Sequence, residues 1–253
     1  MVPSLTPDVR VYPDLETLSR AMAESVVLKI REAISGRGRC GLALAGGDTP
    51  RTLYRLLATE HQARIPWAQV HVFWADERYV PPDDSQSNYR LARESLLDQI
   101  PIPPGNVHPM PTNLPKPDDA ALLYERTLRE NLPAPRSRLD LVLLGLGADG
   151  HTASLFPDSP AIEEQNRWAM AIRAPAEPAL RLTLTLAVIN HAAHVAFLVA
   201  GLEKAEALRL ALVDAPPPRL CPAAGVRPTH GAVVWWIDIA AASLLPPGTA
   251  RKL

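Results

Sequence analysis

Short runs rich in Val, Leu and Ile recur along the chain, separated by stretches whose apolar residues return every three or four positions. The short runs predict strands over 41–45, 70–75, 139–144, 169–173, 182–186, 195–200 and 233–237. The helical spacing predicts helices over 15–35, 50–59, 88–99, 118–131 and 202–213. Several strand segments are continuously apolar, the pattern of a sheet covered on both faces. Strands alternating with helices predict an α/β fold: a doubly wound, mostly parallel open sheet of Rossmann-like form, with helices on both faces. Pro clusters at Pro81-Pro82, Pro101 to Pro104, Pro109 to Pro117, Pro133-Pro135 and Pro216 to Pro218 mark loops. None is long or polar enough to divide the chain, so residues 1–253 are expected to form one domain.

Composition narrows the function. Apolar residues make up 47% of the 253 positions and charged ones 21%, an ordinary globular balance. The 26 basic and 27 acidic residues leave a net charge of −1, which offers no global attraction for nucleic acid or an anionic membrane. An anionic ligand must therefore be held locally. The opening MVPSLTPDVRVYPD has neither the basic nor the apolar region of a signal peptide. The apolar stretch 182–202 carries Asn190, His191 and His194 near its middle, costly in hydrocarbon, and reads better as strand, short helix, strand. Cys40 and Cys221, far apart in apolar surroundings, read as reduced buried thiols of a cytoplasmic protein.

In open α/β sheets ligands bind beyond the carboxyl ends of strands. Four segments there carry chemistry. In AGGDTPR, Gly46 and Gly47 permit a tight turn, Thr49 is placed to cap the next helix, and Pro50 suits its first turn. Free N–H groups at such a helix start attract phosphate, whereas Asp48 repels an anion unless it points away. In ADERYV, Arg78 offers a fork of donors to a phosphate or an oxyanion, and Asp76 is placed to orient it. GLGADGHTAS is a literal G-x-G-x-x-G, but Pro157 and Pro160 interrupt the helix a dinucleotide site needs, and the next strand ends in Arg173, not an acid. What remains is a turn containing Gly147 that presents Asp149 and His151 together. A neutral imidazole is a good general base near neutral pH. In GLEKAEA, Lys204 falls in a helix's first turn, where it opposes the dipole unless an anion compensates. Ser154 lies outside any G-x-S-x-G pattern and is a poor nucleophile candidate. Arg181, Asn190 and His191 either reach the pocket or satisfy buried polar groups.

Taken in order, LALAGGDTPRTLY, VFWADERYVPPDDSQSNYRLARESLL, LDLVLLGLGADGHTASLFPDSP, RLTLTLAVINHAAHVAFLVAGLEKAEAL and PAAGVRPTHGAVVWWIDIAAA resemble the 6-phosphogluconolactonase family over most of the chain. The resemblance implies hydrolysis of 6-phospho-D-glucono-1,5-lactone to 6-phosphogluconate, the second step of the oxidative pentose phosphate pathway, with no metal and no organic cofactor. It implies His151 as the base, set by Asp149 or a backbone carbonyl, with Arg78 or glycine-turn amides at the oxyanion. Gly46, Gly47, Asp48, Thr49, Asp76, Arg78, Gly147 and Lys204 are the implied substrate contacts. Asp48 stands where a small polar residue is common, which questions its side chain and not its amide. The related sugar-phosphate deaminases carry a glutamate directly before the proline that follows the histidine; here Phe156 precedes Pro157. A non-catalytic sugar-phosphate sensor is the other alternative, though no basic DNA-binding module stands outside the α/β region. The small-molecule substrate is the expected partner, without nucleic acid or membrane, and the chain is expected to be a monomer or weak homo-oligomer.

Overall fold

The computed structural model describes residues 8–132, 137–249 and 251–252; the first half of the opening segment and the Pro133-Pro135 cluster lie outside them. The strands are β1 Asp8–Tyr12, β2 Cys40–Leu44, β3 Val70–Trp74, β4 Asp76–Arg78, β5 Leu141–Leu144, β6 Ala169–Arg173, β7 Leu180–Leu184, β8 His194–Val199, β9 Ala232–Asp238 and β10 Arg251–Lys252. The α-helices are α1 Leu15–Arg37, α2 Pro50–Thr59, α3 Asn88–Ser95, α4 Pro117–Asn131, α5 Leu186–His191 and α6 Ala205–Arg209. One sheet runs β10-β1-β9-β8-β5-β2-β3, every neighbouring pair parallel. All positions of β2 and β5 are buried. Successive side chains on a strand point to opposite faces, so both faces are covered, as the continuous apolar runs require.

Helix α1 shows how the sequence sets an element. The Asp14 carboxylate accepts from the Thr17 N–H at 2.7 Å, and Gly38 ends the helix in the left-handed region at φ 78°. Leu18, Met22, Val26 and Ile30, one turn apart, are buried as a stripe. Each such side chain contributes about 1.5–3 kcal/mol on burial.

Two expected strands, 169–173 and 182–186, stand outside the parallel sheet. As β6 and β7 they form an antiparallel sheet with β4, in the order β4-β7-β6. The chain crosses between sheets at Ala75, whose N–H donates to Leu44 and whose carbonyl accepts from Leu184. Strand β7 ends two residues early because the Thr185 hydroxyl caps α5 through the Val188 N–H. The helix expected over 202–213 begins with a 3-10 turn at Leu202–Lys204 and ends as a π turn over Leu210–Asp214. That expected over 88–99 breaks after Ser95 into a 3-10 turn. Strand β1 escapes the periodicity because only Val9 and Val11 alternate with the polar Asp8 and Arg10 before Pro13. At the far edge, β3 is partly covered by the segment near Val107, which bridges Val72, while the His108 N–H donates to the Val72 carbonyl. His71 and His108 stand 3.0 Å apart there, Nδ1 to Nε2. Among the described residues no helix is long and apolar enough to cross a membrane.

Candidate active site

From β2 the chain moves outward to β3, whereas β5, β8 and β9 lie on the other side of β2. The reversal opens a crevice beyond the carboxyl ends of β2 and β5. A cavity of about 420 Å³ occupies it, large enough for a phosphorylated sugar. Gly46, Gly47, Asp48, Thr49, Asp76, Arg78, Gly147, His151 and Lys204 all line it. Asp149 is not at the wall; it stands behind the imidazole.

The turn after β5 is closed by the Gly147 N–H to the His151 carbonyl at 2.8 Å and by the Gly150 N–H to the Gly147 carbonyl at 3.0 Å. Gly150 turns at φ 82°. The Asp149 Oδ1 accepts from His151 Nδ1 at 2.5 Å and from the His151 backbone N–H at 3.1 Å. Partial burial raises the carboxyl's pKa, but the side-chain hydrogen bond and charge of His151, with backbone N–H bonds, outweigh it and hold the group below its ordinary range. An acceptor at Nδ1 fixes the proton there and leaves the Nε2 lone pair for the cavity. The imidazole also leans on Phe156, centroids 4.4 Å apart. Gly147 is required by this pair: a Cβ there would lie 2.0 Å from His151 Nδ1 and 2.7 Å from Asp149 Oδ1.

The turn after β2 uses backbone. Gly47 has φ 82°, Pro50 opens α2, and the N–H groups of Gly47, Asp48 and Thr49 donate to no backbone or side-chain acceptor among the described residues. Thr49 occupies the cap position, but its side chain makes no cap bond, because its own backbone is already helical at φ −52°, ψ −44°. The Asp48 side chain is 94% exposed and reaches Arg51 at 3.4 Å, turned away from the amides. Asn88 is a site residue that strand-end reasoning misses. It is buried at the start of α3, and a Cβ on Gly46 would lie 2.1 Å from its amide oxygen.

The ADER segment corrects an expectation. Asp76 does not orient Arg78: its buried carboxylate is taken by the Ser154 hydroxyl at 2.6 Å and the Asn88 amide at 3.3 Å. The Ser154 hydroxyl donates to that carboxylate and, fully buried and away from the cavity wall, is out of reach of a ligand there. Arg78 is held instead by the Gln86 carbonyl at 2.7 Å, and its buried Nε has no hydrogen-bond partner among the described residues. Arg78 stands directly opposite Arg181 in the β4–β7 ladder. Arg181, 7% exposed, lines the cavity and donates to the Pro178 carbonyl. Burial, then the Arg78 charge, lower its pKa against the pull of Asp76, Glu77 and Glu177. Like charges directly opposite in a ladder are destabilising, and an anion between them would relieve that repulsion. Lys204, half-buried between the 3-10 turn and α6, makes no ion pair among the described residues. Asn190 and His191 do not line the cavity. Asn190 bonds the Gly225 carbonyl and the Arg227 N–H, and His191 borders a separate cavity with Trp168.

Comparison with known proteins places the chain in a family. A 6-phosphogluconolactonase of Synechocystis sp. is 40% identical over 246 residues, covering 96% of this chain and all of that protein. The 6-phosphogluconolactonase from Trypanosoma cruzi superposes with a TM-score of 0.84 at 31% identity, covering 96% of this chain and 98% of that one. A monomeric glucosamine-6-phosphate deaminase, 23% identical with a TM-score of 0.81 over 94% of this chain and 99% of that one, shares the fold. The model of the family described as glucosamine-6-phosphate isomerases/6-phosphogluconolactonase matches residues 13–235, and the chain belongs to that family.

Proposed function

We propose that the chain hydrolyses 6-phospho-D-glucono-1,5-lactone to 6-phosphogluconate, acting as a single catalytic unit in the cytoplasm on the oxidative pentose phosphate route. The observation that carries this is an imidazole with Nδ1 tied to a carboxylate and Nε2 left to a cavity that also holds Arg78, Arg181 and Lys204. Both cysteines are buried and unpaired, in keeping with a reducing compartment.

His151 Nε2 takes a proton from a water as the water attacks the lactone carbonyl. Asp149 holds the ring in the reactive tautomer and stabilises the imidazolium. The oxyanion is met by amides of the glycine turn or by Arg78. The carbonyl re-forms, the ring C–O bond breaks, and His151 returns its proton to the departing ring oxygen. The phosphate is held by Arg181, Lys204 and the amides of the Gly46–Thr49 turn, joined by Arg78 if the glycine-turn amides alone meet the oxyanion, so binding energy far from the carbonyl is used to place it. The deaminase reading is disfavoured by Phe156, whose ring stands against the imidazole where deaminases place a proton-carrying glutamate.

The test is lactone opening with substrate generated in situ, corrected for spontaneous hydrolysis, for wild type and His151→Ala. General-base removal is expected to lower kcat about 10²–10⁴-fold. An unchanged kcat with a raised KM removes His151 as the base; release of ammonia from an amino-sugar phosphate overturns the lactonase reading.

A further inference from the structure

We propose that Asp76 is a positioning residue that sets the span between the His151 turn and the Gly46–Thr49 turn; the role rests on the lactonase reading. The side chains that meet at Asp76 belong to opposite walls of the crevice. Its Oδ2 accepts from Ser154, three residues beyond His151 in a turn closed by the Thr152–Leu155 bridge. Ser154 is further pinned by its N–H on the Thr183 hydroxyl at 3.3 Å, and Ala153 between them is forced to φ 49°. That conformation is costly for a residue with a Cβ, and such strain persists only where its surroundings over-determine it. On the other wall, the Asn88 amide donates to Asp76 Oδ1 at 3.3 Å and to the Asp76 carbonyl at 2.9 Å. The same amide occupies the space a Cβ on Gly46 would need. One buried carboxylate thus couples the turn bearing the base to the turn bearing the free amides.

The span matters because a ligand gripped at its phosphate presents its carbonyl at a fixed distance from that grip. A misplacement of about 1 Å at the reacting atoms can cost on the order of 10²-fold in rate. The fold does not depend on the link. Helix α3 is anchored separately by Glu77, whose carboxylate accepts from the N–H groups of Asn88 at 2.8 Å and Tyr89 at 2.7 Å. Variants at Asp76 therefore keep α3 in place.

The experiment compares Asp76→Asn, Ser154→Ala and the double variant. It measures kcat and KM on the phosphorylated lactone, the inhibition constant of inorganic phosphate, and the His151 ring resonances by NMR. Each single variant is expected to lower kcat about 10–100-fold. Because the two residues act through one contact, the double should fall no more than about 2-fold below the poorer single. The phosphate inhibition constant should stay within about 2-fold, since each wall keeps its own groups. The His151 resonances should move in the same direction in both singles. Multiplicative losses, an unchanged kcat, or unmoved ring resonances overturn the proposal. Phosphate inhibition weakening in step with kcat overturns it too, making Asp76 a direct ligand contact. If wild type does not accelerate opening, the lactonase reading fails, and the ring resonances still decide whether Asp76 positions His151.

Discussion

Gly147→Ala isolates the geometry of the base from its chemistry. The backbone at Gly147 is not among the positive-φ positions, so alanine carries no dihedral penalty there. The whole cost arises where the new methyl meets the dyad, 2.0 Å from His151 Nδ1 and 2.7 Å from Asp149 Oδ1, whereas ordinary contact begins near 3.4 Å. The imidazole must withdraw by about 1.4 Å, or the turn must open by as much, because packed groups yield little. A displacement of that size predicts a kcat loss of about 10²-fold or more, approaching deletion of the base. The methyl also overpacks a partly buried turn, for an expected destabilisation of about 1–3 kcal/mol. The assay is the in situ lactone rate, with the thermal midpoint measured in parallel. In a His151→Ala background the steric conflict with the ring is gone, so Gly147→Ala should then cost little further activity and less stability. A Gly147→Ala enzyme with wild-type kcat, or equal losses in both backgrounds, would refute the reasoning.

The remaining predictions address the other wall and the sheet edge. Gly46→Ala would set a methyl 2.1 Å from the Asn88 amide oxygen; KM for the phosphorylated lactone and the phosphate inhibition constant should both rise about 10-fold or more as the amide cradle shifts, and unchanged values would separate this turn from the phosphate. His108 is pushed down to about 4, by burial first and then by the His71 charge, and His71 is lowered by burial and Arg39. The folded state thus prefers both imidazoles neutral, and the unfolded chain binds more protons below the ordinary histidine range. The resulting stability is full above pH ~6.5 and is lost as pH falls toward 4. His108→Gln should flatten the thermal midpoint against pH over that window; parallel curves for variant and wild type would exclude the pair.

What could be read from the chain followed the range of each interaction. Gly46, Gly47, His151 and Lys204 were legible because each lies in the segment that follows an apolar run, and a parallel sheet brings the carboxyl ends of such runs together. The antiparallel sheet was not. Strand β4 consists of Asp76, Glu77 and Arg78, three charged residues that no periodicity marks as strand, and it exists because β7, a hundred residues on, supplies its ladder. The same pairing brings Arg181 opposite Arg78, so a cation left open between two readings lines the site. The role of Asp76 was misread for a related reason. Sequence proximity suggested Arg78 as its partner, whereas the fold delivers Ser154 and Asn88. Asn88 carries one usable signal, the Ser87 side chain accepting the Arg90 N–H as an N-cap, which marks a helix start but not what it faces.

The cover over β3 bears on how the protein behaves in company. A parallel sheet ends in two strands whose outer N–H and C=O groups are templates for another chain. Here β10 closes β1 on one side, and on the other the Val107 segment pairs with Val72 and donates the His108 N–H to the strand's Val72 carbonyl, fastened by the His71–His108 contact. The edge is thus interrupted at its middle, where a continuous run of hydrogen bonds to a neighbouring molecule would have to pass. The same two histidines whose neutral forms the fold favours also fasten this cover, so acidification is expected to weaken the fold and its protected edge in one step.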